Sequence, residues 1–377
     1  MTVNSKVLIK FNDLSSQNQL HKKEYLKSIN KIVKSSKFLL GEELNGFEKE
    51  FSIFLETKGK FIGVANGSDA LLIALLAKNL ERESQVIVAT NTYFAAAASV
   101  IFLGLRPKFI DVEIETRFPN DKTVSSAISD KVSAYIKSHL FGGADISQVS
   151  ESNNGIIILN DASQAHGTQI NNKFIGGFET TTFSFYPGKN LGSFGDAGGI
   201  VSFMDSEVDK ILRLRNQGTF SSKYLHEVVG FNSRMSEIQA SILRIKLQKL
   251  HTSNRKRKAI FERYKSNLKS ISNLCHLFDY PVSVDPTHHL VQIRIPGIKA
   301  SSIQKYLLEN GIETGRHYPL PLHLQPAFRY LGYSSGDFPN AEILAEESLS
   351  IPIYPTLKNW EIDLVSEKII WYCLKEM

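Results

Sequence analysis

The stretch "TTFSFYPGKNLGSFGDAGGIVSF", Thr181 to Phe203, reads as one apolar run, a glycine-rich loop and a second apolar run, with a single lysine, Lys189, inside the loop. Short runs rich in β-branched and aromatic residues, bounded by glycine and proline, are strand signals. A long flexible amine between two such strands has few neighbours to pair with. Its place raises the question of what it is for.

Working outward, five more runs of the same kind precede it: "KFIGVA", "QVIVAT", "PKFIDV", "VSAYIKSHL" and "GIIILND". Several lack polar alternation, as expected for strands covered on both faces. Helical patterns fall between them, notably Ser68 to Leu80 and Tyr93 to Leu103. This strand and helix rhythm predicts an α/β fold with an open, mainly parallel central sheet flanked by helices. Ligands of such sheets sit beyond the carboxyl ends of the strands, so that is where chemistry is sought.

Downstream, helices are expected at Ser233 to Leu250 and Asn254 to Leu268. A strand "HHLVQIRI", a helix "ASSIQKYLLENG" ended by Gly311, and helices at Ala341 to Leu349 and Trp360 to Leu374 follow. The organisation read from this is an arm over 1–35, carrying the amphipathic "LHKKEYLKSINKIV" and packing on the small domain. A large domain then spans 36–251 and a smaller C-terminal α/β domain 252–377.

Hydrophobic residues make up 42% of the 377 and charged residues 22%, which excludes intrinsic disorder. The net charge of +6 suits an anionic partner. The one basic cluster, "NRKRKAIFERYK", carries Ile260, Phe261 and Tyr264 at helical spacing and so reads as a helix face, not a nucleic-acid patch. Cys275 and Cys373 lie 98 positions apart without a CxxC, suggesting neither zinc nor a disulfide framework. No metal is expected. The opening "MTVNSKVLIKF" lacks a secretion-signal core, and the longest apolar run, Tyr93 to Leu105, is shorter than the ~18 residues of a membrane span. A soluble, cytoplasmic protein is expected, with no nucleic-acid or membrane partner.

The strand ends supply the chemistry. After the first strand, "ANGSDALLIAL" places Gly67, Ser68 and Asp69 at a helix start, whose free N–H groups and hydroxyl suit a phosphate or carboxylate; alone, the motif reads first as an ordinary capped helix. Tyr93 follows the second strand and offers a flat face to an aromatic ligand or to the core. Asp161 directly follows "GIIILN", with Gln164 and His166 three and five residues on. Lys189 stands 28 positions beyond Asp161, one strand away, so both reach the same sheet edge. An amine, a carboxylate and a phosphate-binding floor are the parts of a pyridoxal phosphate site. The lysine forms an imine with the aldehyde, and the acid keeps the pyridine nitrogen protonated. Ser184 adds a hydroxyl for the phosphate, and Asn232 and Arg234 lie at the expected entrance of a later helix.

Taken in order, "ANGSDAL", "NDASQAHGT", "FSFYPGKNLGSFGDAGGI", "GFNSRMSEIQASILRIKL" and "RHYPLPLHLQPAF" resemble the DegT/StrS family of sugar-nucleotide aminotransferases, from about Leu39 to Pro355. The resemblance implies fold type I of the pyridoxal phosphate enzymes, the aspartate aminotransferase fold. It implies that Lys189 forms the imine and shuttles the proton, and that Asp161 pairs with the pyridine nitrogen. Gln164 would contact the ring hydroxyl and Tyr93 stack on the ring. Gly67, Ser68, Asp69 and Ser184 would hold the phosphate, with Asn232 reaching in from the second subunit of a homodimer whose active sites are shared. Within the family the likeness is to the branch that aminates C3 of dTDP-linked 3-keto-6-deoxyhexoses, on the strength of "SFYPGKN" and "HYPLPLH". Tyr186, Lys223, Arg234, His317 and Tyr318 would then line the sugar and diphosphate pocket. Ser68 stands where threonine is frequent, Ser163 where alanine is usual, and "FGG" at Phe141 to Gly143 is unusual for the family.

The implied reaction takes the amino group from L-glutamate, holds it as pyridoxamine phosphate and passes it to the keto sugar. The product would be a dTDP-3-amino-3,6-dideoxyhexose for lipopolysaccharide, O-antigen or other glycoconjugates. Amination at C4 is the alternative within the enzyme reading. A regulator that binds pyridoxal phosphate without catalysis is a more distant one. A dinucleotide-dependent oxidoreductase would need a GxGxxG after the first strand, which is not there.

Overall fold

A computed structural model describes residues 8–149, 155–219, 222 and 224–376. All seven apolar runs become strands of one sheet: β1 (Lys60–Val64), β2 (Gln85–Ala89), β3 (Arg106–Ile110), β4 (Val132–Ser138), β5 (Ile157–Asp161), β6 (Thr181–Ser184) and β7 (Gly198–Ser202). Their spatial order is β1-β7-β6-β5-β4-β2-β3. Neighbours from β6 to β3 run parallel, whereas β7 is antiparallel to both β1 and β6.

The helices are α1 (Leu14–Gln19), α2 (Lys22–Ser35), α3 (Glu42–Phe54), α4 (Gly67–Ala77), α5 (Phe94–Phe102), α6 (Asp121–Ala127), α7 (Asp205–Arg215), α8 (Glu237–Leu247), α9 (Leu250–Asn267), α10 (Ala300–Glu309), α11 (Pro339–Glu347) and α12 (Asn359–Glu376). Successive side chains of a strand point to opposite faces, and β1 makes the division plain. Ile62 and Val64 pack with Leu71, Ile73 and Leu75 of α4, Val100 of α5 and Ile211 of α7. Phe61 joins Phe47 and Phe51 of α3 and Leu243 of α8 on the other face. Each such aliphatic or aromatic side chain contributes roughly 1.5–3 kcal/mol when fully buried, and covering both faces is why the strands read as unbroken apolar runs.

The helix expected from Ser233 begins instead at Glu237, with Ser236 as its N-cap accepting from the Gln239 N–H at 3.3 Å. Tertiary hydrogen bonds claim the preceding turn: Ser233 N–H donates to the Arg215 carbonyl, and the Ser233 hydroxyl accepts from the Ala65 N–H and donates to Asp69. Glu237 then acts across the structure. Its buried carboxylate accepts the N–H groups of Gly41, Glu43 and Leu44 at 2.9, 2.8 and 3.1 Å, and so satisfies the open end of α3.

Towards the C-terminus, β8 (His276–Leu277), β9 (Val291–Arg294) and β10 (Ser348–Ile351) form a three-stranded antiparallel sheet. It shares a core with α9, α10 and α12 that includes Ile260, Phe261 and Tyr264 of the basic run, so that run is a helix with a buried side. Arg257 from the same run is buried too, its Nη1 donating to the Ile353 carbonyl at 3.1 Å. The helix expected to reach Leu349 ends at Glu347, because Ser348–Ile351 pairs with β9. The arm divides its contacts. Ile9 enters the C-terminal core and bridges Ile312, whereas α2 lies along α8, with Tyr25 edge-on to Phe194 and Lys31 paired to Glu43. Among the described residues, no helix is long and apolar enough to cross a membrane.

Candidate active site

The parallel register brings the strand ends to one edge. Asp161, the last residue of β5, lies between Ser138 and Thr182 of the flanking strands. Because β7 runs backwards, its first residue, Gly198, meets both Val64 and Ser184. A cavity of about 950 Å³ opens over this edge. Of the residues singled out in the sequence, it gathers Gly67, Ser68, Asp69, Tyr93, Asp161, Gln164, Ser184, Tyr186, Lys189, His317 and Tyr318.

Its floor is the start of α4. Asn66 is the N-cap, its Oδ1 accepting from the Asp69 N–H at 2.8 Å. The N–H groups of Gly67 and Ser68 have no partner within the helix, and both residues line the cavity together with Ser184. Glycine is needed here for closeness: a Cβ on Gly67 would lie 2.5 Å from Ser184 Cβ. One on Gly198 would run into the Asn66 carbonyl oxygen. Asp69 departs from the expected phosphate role. Its N–H is taken by Asn66 and its carboxylate accepts from the Ser233 hydroxyl at 2.6 Å, and an anion would in any case repel phosphate.

Lys189 sits in the turn after β6, its N–H donating to the Tyr186 carbonyl. Among the described residues its amine has no hydrogen-bond partner. Burial lowers its pKa to about 8, with the charge of Asp161 pulling the other way. Asp161 is the counterpart: burial pushes its carboxyl up, while the Ser163 hydrogen bonds and Lys189 pull it down. Gln164 is locked by both ends of its amide, accepting from the Phe141 N–H at 2.7 Å and donating to the Tyr318 hydroxyl at 2.8 Å. Tyr93 precedes α5 and stands 56% exposed, its ring 5.7 Å from that of Tyr318.

Four histidines lie around Lys189 and Asp161, and burial lowers all four below the ordinary imidazole value. Burial lowers His139 to about 4, and its tautomer follows from its partners. Nδ1 accepts from the Asp145 N–H, so Nε2 carries the proton and donates to Asn160 Oδ1. His166, lodged against Phe183 and Phe185, is lowered to about 3 by burial and by the Lys189 charge. Burial and Lys189 likewise lower His317 to about 4 and hold His289 well below its ordinary value. Asn190 gives its amide protons to Asn254 and Thr287, so its Oδ1 accepts from His289 Nδ1.

Two expected residues lie apart from this cavity. Asn232 is exposed and Arg234 Nη2 donates to its Oδ1 at 2.6 Å, both on the loop before α8. Lys223 falls outside the described residues. Conversely, Phe11 and Asn12 line the cavity without having been foreseen: the Phe11 ring stacks on His317 at 5.7 Å, and Asn12 Nδ2 donates to the Gly188 carbonyl at 3.4 Å. The segment "FNDL" has no periodicity to mark it, and its only signal is an apolar ring beside capping residues.

The donor set fits pyridoxal phosphate: a cradle that a Cβ would fill, an uncommitted amine, and a buried acid sharing one cavity. Fold and site together define a pyridoxal phosphate-dependent transferase of fold type I. The comparisons name the family. Residues 19–370 match the model of the DegT/DnrJ/EryC1/StrS aminotransferase family, and the chain belongs to it. The chain is 37% identical to a "Pleiotropic regulatory protein" of Geobacillus stearothermophilus, over 95% of this chain and 96% of that one. It is 36% identical to dTDP-3-amino-3,4,6-trideoxy-alpha-D-glucose transaminase of Streptomyces venezuelae (93% and 92%). It is 34% identical to dTDP-3-amino-3,6-dideoxy-alpha-D-galactopyranose transaminase of Aneurinibacillus thermoaerophilus (97% and 99%). Among solved structures, S. venezuelae DesV in complex with a ketimine intermediate superposes with TM-score 0.91 at 33% identity, covering 97% of this chain and 98% of that one. NtdA of Bacillus subtilis with bound pyridoxamine phosphate matches at TM-score 0.85 and 25% identity, covering 94% and 82%. The protein is a pyridoxal phosphate-dependent sugar-nucleotide aminotransferase.

Proposed function

We propose that this enzyme transfers the amino group of L-glutamate to C3 of a dTDP-3-keto-6-deoxyhexose, giving a dTDP-3-amino-3,6-dideoxyhexose for surface glycoconjugates. The observation that carries the reading is the Lys189 amine, without a hydrogen-bond partner among the described residues and lining the same cavity as Asp161. Two relatives whose names specify dTDP-3-amino sugars support the choice of C3 and of the nucleotide.

Bound pyridoxal phosphate supplies a ring that accepts the electron pair released when the amine-bearing carbon loses its proton. Gly67 and Ser68 would hold its phosphate through their backbone N–H groups, joined by the Ser68 and Ser184 hydroxyls. Asp161 would hold the proton on the pyridine nitrogen. Gln164 would contact the ring hydroxyl and Tyr93 would cover the ring face. Lys189 Nζ, neutral in part because burial lowers its pKa to about 8, takes a proton from the substrate carbon and returns one. Tyr186, His317 and Tyr318 bind the sugar, with Lys223 and Arg234 at the diphosphate.

The enzyme acts as a homodimer in the cytoplasm. Asn232, exposed and away from its own chain's cavity, completes the site of the second subunit. The test is to incubate purified enzyme with glutamate and a panel of 3-keto and 4-keto sugar nucleotides, locating the new amine by NMR. Amination at C4 would replace the C3 assignment. The name of the Geobacillus relative favours a second reading, a regulator that binds the cofactor without turnover. That reading takes over if no keto sugar nucleotide elicits 2-oxoglutarate release.

A further inference from the structure

Arg117 stands just beyond β3, within a polar segment, yet it is only 2% exposed. Three rings cage its guanidinium carbon: Phe278 at 4.4 Å, Phe141 at 4.7 Å and Tyr280 at 5.2 Å. No carboxylate forms an ion pair with it among the described residues, and the Tyr280 hydroxyl is the polar group of that cage. A buried guanidinium without an ion pair is costly, and the three rings, the Tyr280 hydroxyl and the nearby charge of Asp279 offset part of that cost.

Its Nη1 donates to Gln292 Oε1 at 3.1 Å. Gln292, on β9, passes the constraint on through its Nε2, which donates to the His317 carbonyl at 3.2 Å and to the Ser350 hydroxyl at 3.4 Å. Ser350 Oγ in turn meets His317 Nδ1 at 2.9 Å. One glutamine that Arg117 orients therefore contacts the His317 backbone directly and its ring by way of Ser350, beside the Phe11 ring stacked on it. Behind His317 and Tyr318 lies a second cavity of about 10 Å³, lined by Asn91, Arg117, Gln292 and Ser348. Three of these carry orphaned atoms: Arg117 Nε and Nη2, Asn91 Oδ1 and Ser348 Oγ. Asn91 Nδ2 already donates to the Arg117 carbonyl at 2.8 Å, which fixes Oδ1 as the free acceptor. The space matches one water, and the set offers donors on one side and an acceptor on the other.

We propose that Arg117 is a positioning residue for sugar recognition, holding the His317–Tyr318 segment in place through Gln292 and through one water bound in the cavity behind it. This rests on the reading of His317 and Tyr318 as the sugar side of the site. Arg117 does not line the large cavity, and its cation serves to fix an amide whose other end reaches His317. A misplacement of about 1 Å in a positioning group is enough to cost ~100-fold.

The experiment uses the cofactor-loaded enzyme and its variants Arg117→Met, Arg117→Lys, Gln292→Leu and the double variant Arg117→Met with Gln292→Leu. The glutamate half-reaction is followed by cofactor absorbance, and the second half with a dTDP-3-keto-6-deoxyhexose. Arg117→Met is expected to lower kcat/KM for the sugar about ten- to hundredfold, largely through KM, with the glutamate step within about twofold of the parent. Arg117→Lys, which still donates to Gln292, should recover part of the loss. The double variant should be no worse than the poorer single one beyond about twofold, since both cut one chain. A crystal structure of the parent should hold a water between Asn91, Arg117 and Ser348, and the His317 ring should turn in Arg117→Met and in Gln292→Leu. Equal losses in both half-reactions, additive losses in the double variant, or a cavity without density would each overturn the proposal. If the parent exchanges with glutamate but aminates no sugar, the sugar reading fails instead, and a His317 ring that stays put in both variants would still overturn the coupling.

Discussion

Replacing Gly67 by alanine tests the cofactor cradle with a single methyl group. The added Cβ would stand 2.5 Å from Ser184 Cβ, 3.0 Å from its Oγ and 3.2 Å from its Cα. Carbon atoms rest about 3.5–4.0 Å apart, so one side must retreat by roughly 1 Å. Neither side yields easily: Asn66 and Asp69 fix the start of α4, while Ser184 is paired to Gly198 in the sheet. Overpacking of this kind costs about 1–3 kcal/mol. A shift of that size also spoils hydrogen bonds to the phosphate, each worth about 1.5–3 kcal/mol when the acceptor is charged. Cofactor affinity should therefore fall about ten- to hundredfold at ~1.4 kcal/mol per factor of ten. Gly188→Ala is the matched control, since it lines the same cavity beside Lys189 but its Cβ would meet nothing closer than Asn12 Nδ2 at 3.8 Å. Titrating each apoenzyme with pyridoxal phosphate and following the visible band measures the difference. Equal affinities for Gly67→Ala and the parent, or an equal loss in both variants, would refute the cradle.

Three further outcomes are expected. The rate at which apoenzyme captures pyridoxal phosphate should rise with pH through an inflection near about 8, because only the neutral Lys189 amine attacks. In Asp161→Asn the inflection should move lower, as the charge that favours the protonated amine is gone; one near the ~10.4 of an ordinary lysine would count against the burial argument. Mixing Lys189→Ala with Asn232→Ala subunits, after dissociation and reassembly, should return up to about a quarter of the parent activity, since half the dimers are mixed and each has one intact site. No recovery would argue that Asn232 serves its own chain. Glu237→Ala should lower stability by about 2–4 kcal/mol, read from the urea midpoint, because three N–H groups of α3 lose a charged acceptor. Glu237→Gln should cost less, and an unchanged midpoint in both would show that water replaces the cap.

The sheet was legible because burial on both faces writes itself into composition: "QVIVAT" and "KFIGVA" hold almost nothing that could face water. The site was legible to the extent that strand ends and local motifs define it, which covers Lys189, Asp161 and Gly67. Groups defined by distant partners were not. Arg117 looks like a loop arginine in "EIETRFPN", since the rings that cage it at Phe278 and Tyr280 come from a different part of the chain. The start of α8 was misjudged for the same reason: Ser233 is helix-compatible alone and is drawn away by Asp69, Ala65 and Arg215. In β8, two residues are too few to leave a period, and their pairing with β9 alone makes them a strand.

The reversed direction of β7 has a mechanical side. Leaving the sheet at Ser184 and re-entering it at Gly198, the lysine loop is clamped to β5 and β1 at its two roots, as a hairpin and not as a free crossover. On the proposed role of Lys189, the reacting nitrogen then moves chiefly by rotation about its own side-chain bonds, on a loop whose two roots are held by the sheet.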